Sequence, residues 1–174
     1  AQTLDMLTEN IKEGVSTDYI DKLGYEFIRD NGGYSAPLYY RGFGKSLCTS
    51  LNHVVCHGIP SKDRILEEGD AVNVDVTAIM NGYYGDTSRM FCVGKTQVKL
   101  NNLINATYES MMRAIKILKP GIKLGDIGYE IQSYVEENGF SVVRDFCGHG
   151  ISTIFHEPPN IFNYGKKNSG MELR

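Results

Sequence analysis

Long apolar runs, an excess of one charge and paired cysteines are all absent from this chain, and each absence narrows the possible classes of protein. No apolar stretch is long enough to cross a bilayer, and the first residues do not resemble a signal peptide. The net charge of −3 gives no electrostatic reason to expect binding to nucleic acid or to an anionic membrane. We therefore predict neither partner.

The four cysteines show no Cys-x-x-Cys spacing. Free thiols in a reducing compartment fit this pattern better than a disulfide framework, so we predict a cytoplasmic protein. The length of 174 residues and the hydrophobic content of 41% suffice for one substantial domain with its own core.

Helical and extended patterns alternate along the chain. Residues 17–30 predict an amphipathic helix that Ser16 or Thr17 caps and Asn31-Gly32-Gly33 ends. A helix is expected over residues 1–13, and another from Asp126, as its cap, to Glu137. The longest helix is predicted over residues 98–118, with an apolar side made of Leu103, Ile104, Met111, Ala114, Ile115 and Leu118. Residues 34–60, with Val54, Val55 and Ile59, and residues 140–156 have extended character.

A β-hairpin is predicted at about residues 70–93, because Asn81-Gly82 separates two β-prone runs. A two-residue turn at this pair puts Thr77 opposite Asp86 and Asp75 opposite Ser88. Both carboxylates then project from one face of the hairpin, roughly 6–8 Å apart at the backbone.

Two buried like charges this close repel each other unless a cation lies between them. A solvated edge is the alternative interpretation. The alternation argues against it, because one face of the strand is apolar while the other lacks the Lys and Glu of a solvent face. Those faces are Val72, Val74 and Val76, and Asn73, Asp75 and Thr77. We interpret the hairpin as a metal-binding element.

All histidines lie in glycine-, proline- or strand-rich surroundings. An isolated histidine is usually structural, and His53 is interpreted in that way. His149 differs, because Gly148 and Gly150 on either side would let a metal or substrate approach the backbone closely. Mixed Asp and His coordination suits cobalt, manganese, iron or zinc.

A faint internal repeat relates residues that are offset by 107 positions. Gly14-Val15 then matches Gly121-Ile122, Ile20 matches Ile127, and Asn31-Gly32 matches Asn138-Gly139. The helix terminators agree better than the residue identities, and chance is the alternative. A true repeat predicts two related helix-plus-sheet halves about a pseudo-dyad, with a site in the cleft between them.

Several segments, in this order and spacing, resemble the type I methionine aminopeptidases. They are Cys56-His57-Gly58-Ile59-Pro60, Asn73-Val74-Asp75-Val76-Thr77, Gly85-Asp86-Thr87-Ser88-Arg89-Met90-Phe91, Gly148-His149-Gly150-Ile151 and Phe155-His156-Glu157-Pro158. The resemblance covers essentially the whole chain. It implies an α/β (α+β) pita-bread fold of two pseudo-symmetric helix-plus-antiparallel-sheet halves, with the C-terminal part missing, in agreement with the repeat.

The same resemblance implies a site for two divalent metal ions. Asp75 would bind one metal, Asp86 would be shared by both, and His149 would be the imidazole ligand. His57 and His156 would be the catalytic histidines, hydrogen-bonded to the scissile amide and the developing charge. The residues that would bind substrate are Tyr40, Phe43, Cys48, His57, Phe155 and His156. Pro37 and Phe43 depart from the Cys and Tyr that relatives often carry.

The implied function is removal of the N-terminal methionine from nascent polypeptides by attack of a metal-bridging hydroxide. The expected partners are nascent N-termini, including those at the ribosome, and the expected state is a monomer. Two alternatives stay open. One is another pita-bread peptidase, such as a proline-specific aminopeptidase or prolidase, although the Cys-His-Gly-Ile-Pro motif favours the methionine enzyme. The other is a non-catalytic peptide-binding relative.

The chain stops at Arg174, before two glutamates that the family supplies from its C-terminal strands. We therefore expect residues 1–174 to form a single metallopeptidase domain that is incomplete at the C-terminus and shortened at the N-terminus. There are two alternatives to an incomplete chain. One is a degenerate relative that binds peptides without catalysis, and the other is a second chain that completes the site.

Overall fold

Helices and antiparallel strands alternate in the computed structural model, which describes all residues from Ala1 to Arg174. The chain divides into two units. The first comprises Ala1–Gln97 with Ile151–Phe155, and the second comprises Val98–Gly150 with His156–Arg174. This mixture of helix and antiparallel sheet agrees with the expected fold class. No helix has the length and apolar character needed to cross a membrane.

The first unit begins with helices α1 (Gln2–Thr8) and α2 (Thr17–Asp30). The predicted bounds of α2 are confirmed, and the Ser16 hydroxyl caps the helix by accepting from the Tyr19 N–H at 3.2 Å. Helix α1 is shorter than residues 1–13. It ends early because the N–H groups of Asn10 and Ile11 both donate to the Leu7 carbonyl, which closes the helix in a turn.

Strand β3 (Ala71–Met80) is the centre of a four-stranded antiparallel sheet. Strand β4 (Tyr83–Cys92) pairs along its whole length, and the other edge takes β2 (Cys48–Leu51) and the short β1 (Tyr34–Ser35). The turn between β3 and β4 has positive φ at both central residues, 51° at Asn81 and 83° at Gly82. The predicted hairpin is therefore confirmed.

Only part of residues 34–60 is extended, so that prediction was partly wrong. A short 3-10 helix occupies Pro37–Tyr39, and the supposed β-rich run around Val54, Val55 and Ile59 lies outside every strand. Strand β2 ends because Asn52 turns the chain at a φ of 51°, while its side chain binds the Ala71 N–H. Val55 and Ile59 are consequently exposed.

The core of the first unit lies between the two helices and one face of the sheet. Val72, Val74 and Val76 line that face and are almost fully buried, as the alternation predicts. Ile20 and Ile28 from α2 belong to the same cluster. Each such side chain contributes about 1.5–3 kcal/mol through burial. The packed valines fix the register, and the alternate residues of β3 are directed to the opposite face.

The second unit contains helices α3 (Val98–Lys116) and α4 (Leu124–Glu137), followed by strands β5 (Gly148–Gly150) and β6 (Glu157–Ile161). The two strands pair antiparallel, with an irregularity between His149 and Gly150. Residues 140–156 thus contain only one short strand. Helix α4 ends as predicted at Asn138, but Lys123 is its N-cap residue and Asp126 lies in the first turn, where its carboxylate accepts from the Lys123 N–H.

The predicted apolar side of α3 is only partly buried. Ala114 is buried, but the larger residues Leu103, Met111, Ile115 and Leu118 are 41–49% exposed. The buried positions are instead Ala106, Ser110 and Ala114, which follow one another at four-residue spacing. Helix α3 packs on α4, and small side chains let helix backbones approach closely.

Candidate active site

The two aspartates project from one face of the β3–β4 hairpin. Asp75 lies opposite Ser88 and Asp86 lies opposite Thr77, which confirms the predicted register. The two carboxyl groups are hydrogen-bonded to each other. Burial, and then the charge of Asp86, raise the pKa of Asp75 to about 7. When no cation is present, Asp75 therefore keeps its proton to higher pH than an ordinary carboxyl group.

These carboxylates fit a divalent metal. Their oxygens are hard ligands, and the pKa of Asp75 is raised by burial and then by the charge of Asp86, both of which a bound cation would offset. The valines on the opposite face fix the position of Asp75, because a one-residue slip of β3 would direct Asp75 into the core and expose the valines.

Cys48 lies beside this pair, since β2 places it opposite Asp75 on the other edge of β3. The thiol is buried. Burial, followed by the charges of Asp75 and Asp86, raises its pKa to about 12. Cys48 therefore stays protonated at neutral pH and behaves as a small, soft apolar group rather than a thiolate.

An aromatic cluster lies in the same unit. The Phe155 ring makes an edge contact with Tyr40 at 4.9 Å between centroids and stacks on Tyr84 at 5.4 Å. The Tyr84 N–H also donates to the Ser152 carbonyl at 2.8 Å, which fixes the segment that carries Phe155. Phe43 is half-buried, and its N–H donates to the Tyr40 carbonyl in a turn.

Sequence reasoning missed Tyr84 as a member of this cluster. The signal was present in the β-alternation, because Tyr84 and Asp86 lie on the same face of β4. Asp21 was also missed. Its buried carboxylate accepts from the N–H groups of Ser46 and Leu47 at 2.7 and 2.8 Å, immediately before β2.

His57 lies in the loop after β2 and is exposed. Its backbone has a φ of 54°, in the left-handed region that few residues other than glycine adopt. Neither His57 nor His53 belongs to a strand or helix.

The other two predicted histidines belong to the second unit, where their rings lie 4.3 Å apart between centroids. Nδ1 of His149 is 2.9 Å from the Gly150 carbonyl oxygen. Because a carbonyl only accepts, Nδ1 carries the proton and the ring lone pair is on Nε2. This tautomer leaves Nε2 as the atom that would bind a metal. Within neither unit do three or more His, Cys, Asp or Glu side chains form a metal-ligand group.

The model of metallopeptidase family M24 matches residues 1–174. This chain therefore belongs to that family. It is 52% identical over 174 residues to a methionine aminopeptidase from Rickettsia prowazekii (strain Madrid E), covering 100% of this chain and 67% of that relative. The chain thus spans about two thirds of the relative's length.

Solved structures agree with this family and fold. A crystal structure of methionine aminopeptidase from Rickettsia prowazekii matches with a TM-score of 0.97 at 52% identity, over 99% of this chain and 69% of that one. A prolidase from Pyrococcus furiosus matches with a TM-score of 0.83 at 23% identity, over 99% of this chain and 49% of that one. The second likeness shows a shared fold alone. The chain has the pita-bread fold of a metallo-exopeptidase.

Proposed function

We propose that this chain removes the N-terminal methionine from polypeptides in a metal-dependent reaction. The observation that carries the proposal is the hydrogen-bonded pair of Asp75 and Asp86, in a chain that matches a metallopeptidase family over its full length. The methionine aminopeptidase at 52% identity supports the choice of substrate.

Asp75, Asp86 and Nε2 of His149 would hold two divalent ions of the cobalt, manganese, iron or zinc class. Such ions lower the pKa of bound water from ~15.7 towards ~7 and so supply a nucleophile at neutral pH. The Gly150 carbonyl contributes by accepting from Nδ1 of His149, which leaves Nε2 as the nitrogen available to a metal.

His57 and His156 would position the substrate by hydrogen bonding. A neutral imidazole can donate to the carbonyl oxygen of the scissile amide, where negative charge develops during attack. Loss of one such donor typically costs ~3–4 kcal/mol of transition-state stabilisation. His156 lies against the His149 ring, so its place in the second unit is fixed by a neighbouring group.

The methionine side chain would bind against Cys48 and the cluster of Tyr40, Tyr84 and Phe155, with Phe43 beside Tyr40. A protonated thiol and aromatic rings suit a thioether, because sulfur is polarisable and makes favourable contacts with ring edges. Cys48 is neutral because burial, and then the neighbouring carboxylates, raise the pKa of its thiol.

We further propose that nascent polypeptides in the cytoplasm, including those at the ribosome, are the substrates and that the protein acts as a monomer. Free cysteines throughout the chain support a reducing compartment.

The carboxylate pair is tested by Asp86→Asn in the natural gene product that carries this chain. Turnover of a methionyl peptide should fall at least about a hundredfold, because the substitution removes a charge and a ligand shared by both metals. Metal content, measured by elemental analysis, should fall with it. Asp63→Asn is the matched control, because Asp63 is an exposed loop carboxylate. An active Asp86→Asn variant with normal metal content contradicts the assignment.

Substrate class is tested separately, with Met-Ala-Ser and Ala-Pro-Ala as competing peptides. Cleavage of the first alone supports the proposal. Preference for the second would assign the chain to the proline-specific peptidases of the same fold. Failure to cleave either peptide, together with failure to bind Mn²⁺ or Co²⁺ in calorimetry, would make it a peptide-binding relative without catalysis.

A further inference from the structure

The loop that carries His57 is attached to β2 by two hydrogen bonds at the following residue. The Thr49 N–H donates to the Gly58 carbonyl at 2.8 Å, and the Gly58 N–H donates to Oγ of Ser50 at 3.1 Å. Both polar groups of Gly58 are therefore held by consecutive residues of one strand. Ser50 is a buried residue with 4% exposure, so water cannot easily replace its hydroxyl as the acceptor.

The contact between Gly58 and the strand is so close that it requires glycine. A Cβ at Gly58 would lie 2.2 Å from the Thr49 carbonyl oxygen and 2.8 Å from the Ser50 Cα. Both atoms belong to the backbone of a paired strand, so neither can move aside without disturbing the sheet. The position of Gly58 on β2 is consequently narrowly defined.

His57 takes a left-handed conformation immediately before this attachment, with a φ of 54°. For a residue with a side chain this conformation is unfavourable and persists only where the surroundings enforce it. The chain on the other side is also held, because the Ser61 N–H donates to the Thr17 hydroxyl at 2.9 Å. The attachments at Gly58 and Ser61 leave the backbone of His57 little freedom to relax.

We propose that Ser50 is a positioning residue for His57. By accepting the Gly58 N–H, its hydroxyl holds the loop on β2 and keeps His57 in the left-handed conformation that sets the direction of its imidazole. The same strand carries Cys48 opposite Asp75, so β2 positions the histidine and the carboxylate pair on one rigid element. The catalytic consequence rests on the proposed function of His57.

The test is a double-mutant cycle with Ser50→Ala and His57→Ala in the natural gene product. Ser50→Ala should lower kcat for a methionyl peptide about tenfold, because a small misplacement of a catalytic group is costly. Metal content and KM should change little. In the His57→Ala background the same substitution should change kcat less than about twofold, since it acts through a side chain that is no longer present.

Thr49→Val is the matched control. Thr49 is the neighbouring residue of β2, and its buried Oγ1 has no hydrogen-bond partner, so valine keeps the shape and removes no contact. This variant should keep kcat within about twofold of the parent. Amide hydrogen exchange gives a readout that is independent of activity. The Gly58 N–H should exchange about tenfold faster or more in Ser50→Ala and at the parental rate in Thr49→Val.

Two results overturn the proposal. One is an equal loss of kcat from Ser50→Ala in both backgrounds, which would mean that Ser50 does not act through His57. The other is unchanged exchange at Gly58, which would mean that the hydroxyl does not hold the loop. If His57→Ala alone leaves turnover unchanged, the catalytic role proposed for His57 fails, and the exchange result still decides whether Ser50 holds the loop.

Discussion

Helices α2 and α4 are the clearest pair of related elements in the two units. Each has 14 residues, and their bounds differ by the same offset of 107 that the sequence repeat predicts. Both end in the same way, with an asparagine whose side chain donates to a carbonyl four residues earlier at 2.8 Å. These residues, Asn31 and Asn138, are each followed by a glycine with a φ near 79° and 78°.

The segments beside these helices are also related. In the first unit the Gly14 N–H donates to the Leu66 carbonyl at 2.9 Å, and in the second the Gly121 N–H donates to Leu173 at 2.8 Å. Isolated bridges join Ser16 to Ile65 and Lys123 to Glu172. The offset therefore applies to helix, turn and neighbouring segment alike. The prediction of two related halves is confirmed.

The two units differ in the side chains that form specific contacts or belong to the candidate site. Asp21 of α2 binds the backbone before β2, whereas the equivalent Gly128 of α4 lets the Tyr164 carbonyl approach closely. The first unit carries the carboxylates and the second carries the two neighbouring imidazoles of His149 and His156. The two halves thus share their helix ends and turns, while the carboxylates and imidazoles of the candidate site have no counterparts in the other half of this chain.

Among these predictions, the largest loss of stability should come from a substitution at Gly128, the counterpart of Asp21 in the second unit. Gly128→Ala puts a Cβ 2.2 Å from the Tyr164 carbonyl oxygen, so the backbone of one segment must move. We expect the free energy of unfolding to fall by about 3 kcal/mol in denaturant titrations. Gly85→Ala is the control, because nothing lies within 4 Å of its Cβ position. Equal stability of the two variants would show that the close approach is not needed.

Asp21 should give the next largest effect. Asp21→Ala leaves the N–H groups of Ser46 and Leu47 without an acceptor in a buried place. The expected loss in the free energy of unfolding is about 2–3 kcal/mol by chemical denaturation. Asp63→Ala, at an exposed loop position, should change it by less than about 0.5 kcal/mol. A similar small change at Asp21 would contradict the anchoring role.

In the metal-free protein, the stability of the first unit should depend on pH differently from that of the second unit. The pKa of Asp75 is raised to about 7 in the folded state, against about 3.9 when unfolded. The stabilisation from its protonated form is complete below about pH 4 and is lost as the pH rises to about 7. We expect a loss of roughly 2 kcal/mol, discounted because Asp75 is partly exposed.

The second unit should behave differently in this window. Backbone N–H groups, first of Asn168 and then of Lys123, lower the pKa of Asp126, so its contribution is present above about pH 4 and is lost only in more acidic solution. Amide exchange in chelator should therefore accelerate from pH 4.5 to 7 more for α2 than for α4, after correction for intrinsic rates. Asp86→Asn should weaken that dependence, and an unchanged dependence would exclude the carboxylate pair as its cause.

The smallest effects should come from the helix N-termini. Ser16→Ala removes a hydroxyl that accepts from the Tyr19 N–H and should cost about 1 kcal/mol. At the equivalent position Lys123→Ala should cost almost nothing, because Lys123 contributes its backbone N–H to Asp126. Asp126→Ala should lower the thermal stability measurably, because Asp126 is the residue whose side chain accepts a backbone N–H at the start of α4. An equal loss of stability from Ser16→Ala and Lys123→Ala would contradict the conclusion that only Ser16 caps its helix through its side chain.

Turn residues, strand alternation and helix caps correctly predicted the elements that depend on short stretches of sequence. Asn81-Gly82 and the alternating valines specified the hairpin and its register, so the meeting of Asp75 and Asp86 followed from the sequence. Serine caps, asparagine and glycine gave the bounds of α2. Predictions that depended on packing partners were less successful, as the exposed Leu103 and Met111 of α3 show.

The sequence alone therefore determined the main helices and a pair of carboxylates on one face of the hairpin, because each depends on neighbours within a few residues or on strand alternation. It also determined the repeat, because the same helix-ending residues recur at a constant offset. Only the tertiary structure decided that Cys48 lies beside Asp75, that Asp21 holds the approach to β2, and that Ser50 holds Gly58. These contacts join segments at irregular separations along the sequence, so no sequence pattern predicts them. They form only when the strands pair and the loops pack on the sheet, which depends on the free energy of the whole core.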